Sequence, residues 1–219
     1  EQKFQNARFS RVDADVVDKL IVKEDGQETS LTADQQTWLR HVFLGPVTNQ
    51  DNFDVTCEAR GAQENPMVIT QSEFTRRMKD MSAIGGGMDF YGNLPDRFNL
   101  VVNSDHPLVS KVLEAVEKKH GKDLGAFREK LDSLNKRMEE LQKNHEGKKD
   151  EEIPQEEKDQ LSDIEKKVED MNAKRAEQLK KYGKKNALVC QLTDLALLSN
   201  NMLKGENLTK FVKRSIELI

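Results

Sequence analysis

The run Ile84-Gly85-Gly86-Gly87-Met88 is the first place to look for chemistry, because a glycine-rich turn lets backbone N–H groups close on a phosphate. Such a loop needs a strand before it, a helix start after it, and a Lys or Ser/Thr at fixed spacing. Here "FTRRMKDMSA" precedes the glycines at helical spacing, and "MDFYGNLPDRFNL" follows without GK[ST] or GxGxxG. Nucleotide binding at this run is therefore not expected. His41, His106, His120 and His145 stand singly, none at metal-ligand spacing with Cys or another His. His41 and His106 read as structural or capping groups, and His120 and His145 as solvated. Cys57 and Cys190 are isolated thiols and read as free and reduced. No serine sits in a GxSxG turn. The carboxylates interleave with lysines, as on solvated helix faces. No catalytic residue, metal site or cofactor site emerges, so surfaces remain.

One such surface is the stretch around the glycines. Phe74, Met78 and Met81 fall at i, i+4 and i+7, and Ile84, Met88, Phe90 and Tyr91 follow. The opposite face carries Arg76, Arg77, Lys79 and Asp80. A methionine stripe is commonly core, but methionine also suits a surface that fits many partners. The residues alone leave core and exposed binding surface both open.

The elements around this stretch read as follows. Val12, Val16, Val17, Leu20 and Ile21 predict a helix over 12–24, ended by Gly26. Thr32 and Gln35 form a capping-box pattern before Leu39, Val42 and Phe43, and Gly45-Pro46 stops that helix. "FDVTCEAR" (53–60) alternates as a half-buried strand. Met67-Val68-Ile69 and "FNLVVNS" (98–104) read as two further strands. Thr70 and Glu73 repeat the capping-box spacing and open the helix of Phe74. Pro107 suits the first turn of a helix carrying Leu108, Val109, Val112, Leu113 and Val116, which Gly121 ends or interrupts.

Composition then shifts. The whole chain is 36% hydrophobic and 34% charged, with a net charge of -4. From about 118 to 185 the residues are mostly Lys, Glu, Asp and Gln. Leu124, Phe127, Leu131, Leu134, Met138 and Leu141 keep a 3-4 spacing, and Leu161, Ile164, Val168 and Met171 resume it after Gly147 and Pro154. Leu179 and Tyr182 continue it less regularly, and Arg175 reads as a flaw. Two seams around a breaker predict an antiparallel coiled-coil hairpin. The chain closes with two apolar helices. Leu188, Leu192 and Leu195 share one face, with Val189 and Ala196; Leu208, Phe211, Val212, Ile216 and Ile219 share the other. Either they cover the sheet, or they pair with symmetry mates in a dimeric four-helix bundle. The fold class expected is α+β: a small mixed sheet with packed helices, the inserted hairpin and the C-terminal helices. Mixed charge gives no nucleic-acid footprint, and no apolar run is long enough to span a membrane. The start lacks both a signal-peptide core and an initiator Met, which suggests a piece of a longer cytoplasmic protein.

"RFSRVDADVVDKLI", "EFTRRMKDM", "NLVVNSDHPLV" and "QLTDLALLSNNMLKGENLTKFVKRSIELI" together resemble the C-terminal dimerisation domain of the 90-kDa heat-shock chaperone family. The resemblance covers most of 8–113 and 186–219. It implies that 1–50 leads in from a middle domain, that 51–117 and 186–219 form the dimerisation domain, and that 118–185 is an insertion. It implies no enzyme activity and no cofactor in this chain, ATP and Mg belonging to an N-terminal domain. It implies a homodimer through Leu188, Leu192, Leu195, Leu208, Phe211, Val212 and Ile216. It also implies contact with non-native client proteins through Phe74, Met78, Met81, Ile84 and Met88, with Ser82 departing from the family's apolar pattern. Cochaperones are open as further partners. The alternative from another class is a structural adaptor whose hairpin docks a partner.

Overall fold

A computed structural model describes residues 29–71, 97–145 and 153–217. The helix expected over 12–24, the stretch 74–92 and the breaker at Gly147 lie outside the described residues. The described part is α+β, as expected. Its order is α1 (Ala33–Leu44), a 3-10 turn (Gln50–Asn52), β1 (Phe53–Glu58), β2 (Met67–Gln71), β3 (Phe98–Asn103), α2 (Pro107–His145), α3 (Gln155–Lys185), α4 (Ala187–Ser199) and α5 (Gly205–Glu217). The chain divides into two compact units, 1–112 with 180–219, and 113–179.

In the first unit the capping box forms as the spacing predicts. The Gln35 N–H donates to Thr32 Oγ1 at 3.3 Å, and the Thr32 N–H donates to Gln35 Oε1 at 2.9 Å. The helix so started buries Leu39, Val42 and Phe43 completely. Each is worth about 1.5–3 kcal/mol of burial. The strands form one sheet in the order β1-β3-β2, with β1 parallel and β2 antiparallel to β3. Being central, β3 has Leu100, Val101 and Val102 all buried, a continuous apolar run rather than an alternating one. Phe53 lies opposite Phe98, their ring centroids 5.4 Å apart. Helix α1 packs on β1, and α4 packs on β2 and α1. Thr70 pairs with Asn99 within β2, so this strand outruns the expected Met67–Ile69 by two residues, and the cap expected with Glu73 lies outside the described residues.

The loop after β1 is held by a buried amide. Asn103 Oδ1 accepts from the Arg60 and Asp105 N–H groups, each at 3.2 Å, and its Nδ2 donates to the carbonyls of Gly61 (2.8 Å) and Asn65 (3.3 Å). All the hydrogen-bonding capacity of the side chain is used, so its complete burial costs little. Gly61 sits here at φ +93°, a conformation that favours glycine. At the start of α2, His106 Nδ1 accepts from the Leu108 N–H at 3.1 Å, which is the capping role expected of it.

In the second unit, α2 runs straight through Gly121 and Gly125. Glycine costs about 1 kcal/mol in a helix, too little to stop one whose neighbours are strong helix formers. Leu124 is buried, and Phe127, Leu131, Leu134, Met138 and Leu141 are half-buried, while most residues between them are exposed. On α3, Ile164 and Leu179 are buried, and Leu161, Val168 and Met171 are half-buried. The contacts run in antiparallel order. His120 meets Gln178 at 3.2 Å, Phe127 meets Arg175, and His145 Nε2 meets Glu157 Oε2 at 2.9 Å. Two expectations are corrected here. Arg175 is no flaw in the seam: it is buried, with its guanidinium carbon 5.0 Å from the Phe127 ring centroid, a cation–π contact that an aromatic opposite makes possible. His120 and His145 are not simply solvated, since each ring is held by the facing helix. Burial, reinforced by Lys119 and opposed by Asp123, pushes the His120 ring below its ordinary pKa.

Candidate self-association surface

Asn186 starts α4 by accepting from the Val189 N–H at 3.1 Å. The helix turns Val189, Leu192, Thr193, Ala196 and Leu197 into the core of its own unit. Asn200 and Asn201 then end it, Asn201 at φ +57°, and Gly205 at φ +59° opens α5. No described residue of α5 is buried. Among the described residues the exposed large apolar side chains are Leu195 (46%), Leu198 (37%), Val212 (46%) and Ile216 (67%), all on α4 and α5. These four exposed side chains, on two helices that pack together, are the candidate patch for binding another protein.

The expected interface residues thus fall into separate environments. Leu195, Val212 and Ile216 are exposed, and Leu188, Leu208 and Phe211 are half-buried. Leu192 is 4% exposed and already lies in the chain's own core. Leu198 belongs to the patch and was missed, because only the 188/192/195 spacing was followed. Phe74, Met78, Met81, Ile84 and Met88 lie outside the described residues.

A polar cluster beside the patch also went unread. Arg214 Nε donates to Gln191 Oε1 at 3.2 Å, and its Nη2 donates to Asp194 Oδ2. Gln191 Nε2 donates to Ser215 Oγ at 2.8 Å, and Ser215 Oγ donates to the Phe211 carbonyl at 2.9 Å. The signal that could have found it is opposite charge on consecutive helices, Asp194 and Arg214, each among apolar positions.

Neither thiol is poised as a nucleophile. Burial pushes the Cys57 thiol up to about 11, with Arg40 opposing and Glu58 reinforcing. Its Sγ lies 3.9 Å from the Gln36 carbonyl on α1. Burial raises Cys190 as well, opposed by Arg214. The sign is that of a group kept protonated by the fold. At pH 8 the Cys57 thiolate fraction is expected to be about 100-fold below that of an ordinary cysteine. Disulfide-exchange labelling with an aromatic disulfide should then be slow in the folded chain and rapid in denaturant; equal rates would contradict the burial. Among the described residues no three His, Cys, Asp or Glu side chains could hold a metal ion, and no helix is long and apolar enough to cross a membrane.

Comparison with known proteins adds what the geometry cannot. The chain is 49% identical over 221 aligned positions to the chaperone protein HtpG of Bacteroides fragilis, 45% to that of Bacteroides thetaiotaomicron and 38% to that of Porphyromonas gingivalis. Each alignment covers all of this chain and 32% of the relative, so the chain spans about a third of their length. No family model and no solved structure matches it. The α+β body is thus similar throughout to a segment of chaperone proteins. Over its full length the chain is similar to the C-terminal part of HtpG chaperones, which fits the resemblance drawn from the sequence. The relatives do not favour the adaptor reading.

Proposed function

We propose that this chain is the homodimerising and client-binding module of an ATP-dependent chaperone that assists protein folding in the cytoplasm. The observation that carries the dimer is the exposed set Leu195, Leu198, Val212 and Ile216 on adjoining helices. Placed against a symmetry mate in a four-helix bundle, those side chains leave water on both protomers at once. ATP and Mg act in the parent's N-terminal domain, and the dimer lets that domain's motion work across two protomers. Equilibrium sedimentation of the chain at micromolar concentration tests the reading, and a monomer there would refute it.

Client contact is assigned to Phe74, Met78, Met81, Ile84 and Met88. A few apolar side chains worth about 1.5–3 kcal/mol each give transient binding once the cost of association is subtracted. The expected result for Phe74→Ala/Met78→Ala/Met81→Ala is a folded dimer that suppresses aggregation of a denatured client several-fold less well. Full suppression by that variant would remove these residues from the client surface. The paired charged helices over 118–185 are read as a coiled-coil strut, supported by half-buried apolar positions at 3-4 spacing.

A further inference from the structure

Helix α5 poses a physical question. It has 13 residues, and none of those described is buried. An isolated helix of that length is marginal in water. Its own ion pair, Lys210 to Glu206 at 2.8 Å, is exposed and contributes little. Yet α5 must present Val212 and Ile216 at one fixed angle beside Leu195 and Leu198 if two copies are to meet in register. The half-burial of Leu208 and Phe211 is non-directional and does not by itself set that angle.

The polar cluster is suited to do it. Gln191 and Asp194 lie three positions apart on α4, hence on one face a turn apart. The Arg214 guanidinium reaches both, through Nε to Gln191 and through Nη2 to Asp194. The neighbouring Ser215 takes a second bond from Gln191 at 2.8 Å. A single ion pair would let α5 roll or slide. A planar fork bonded to two points on α4, with a further bond from the adjacent residue, leaves neither freedom. The group is also sheltered: the Arg214 and Asp194 side chains are 24% and 13% exposed, so solvent screens them less than a surface pair.

We infer that Arg214, with Asp194 and Gln191, is a positioning clip that fixes the pose of α5 on α4 and thereby sets the strength of self-association. The inference rests on the dimer reading above. In it Arg214 and Asp194 touch no residue of the partner; they act through Val212 and Ile216.

The test is a double-mutant cycle on the full 219-residue chain, with Asp194→Asn, Arg214→Gln and the pair. Dissociation constants come from a dilution series followed by sedimentation. Each single change is expected to weaken the dimer by about ten-fold or more, and the pair by no more than about two-fold beyond the worse single, since both act through one contact. Hydrogen exchange is then measured in an Ile216→Asp background, which removes the partner. There the clip variants should speed exchange in 205–217 by about ten-fold and leave 33–44 on α1 unchanged. Singles within about two-fold of the parent, effects that multiply in the pair, or equal loss of protection on α1 would each overturn the clip. A parent that never dimerises would instead sink the dimer reading. Exchange in α5 then decides the positioning role alone, and unchanged exchange overturns it.

Discussion

Gly183→Ala should unfold the first unit or cost it at least about 3 kcal/mol, read as the midpoint of chemical denaturation. A Cβ on Gly183 would stand 1.9 Å from the Val42 carbonyl oxygen, 2.8 Å from its carbon and 3.1 Å from its Cα. Those are backbone atoms of α1, and they cannot swing aside as a side-chain end would. The contact is reciprocal, because a Cβ on Gly45 would meet the Lys180 carbonyl oxygen at 2.2 Å. Two glycines therefore let the end of α1 and the end of α3 touch backbone to backbone. Separating them would pull Val42 and Phe43 out of packing, and both are fully buried. The control lies in α2. A Cβ at Gly121 or Gly125 meets nothing within 4 Å, so alanine at either should be neutral or raise stability by up to about 1 kcal/mol. If Gly183→Ala matched those controls, the close crossing would be wrong.

Ile216→Asp should convert the proposed dimer to monomer while leaving the protomer folded. Ile216 is 67% exposed, so its own chain loses little when it changes. In an isologous interface each substitution counts twice. Losing two buried isoleucines at about 1.5–3 kcal/mol apiece weakens association by roughly 10²- to 10⁴-fold, before the cost of burying carboxylates. Val212→Asp, at 46% exposure, should behave alike. Leu192→Asp should differ: that side chain is in the protomer core, so thermal unfolding should collapse along with association. Sedimentation paired with circular dichroism separates the cases. A fully dimeric, folded Ile216→Asp chain would place the interface elsewhere.

The sequence carried the local elements well where one periodicity dominated. The Thr32–Gln35 box, the alternation from Phe53 and the 3-4 spacing after Leu124 all depend on neighbours a few residues apart, and such signals survive in one dimension. What was lost depended on partners far along the chain. The extension of β2 through Thr70 and Gln71 was lost because it depends on Asn99 and Phe98 of a later strand. Arg175 looked like a flaw until Phe127 faced it. Leu192 and Leu195 shared a stripe, but only the position of β2 and α1 decides which of them is already covered. The Arg214 clip was invisible for the same reason, since its bonds join residues 20 and more apart.

The placement of β2 beneath α4 also sets an order in time. β3 joins the sheet when residue 103 has been made, but α4, which packs on β2, begins only at Ala187. Between them lie the charged helical residues, more than eighty positions of chain. At a synthesis rate of about 5–20 residues per second, that is roughly 4–17 seconds. Through that interval the nascent sheet has its strands and α1 but not the helix that completes its cover. The length of the charged pair therefore acts as a delay line, and any shortening of it would also shorten the wait before the core can close.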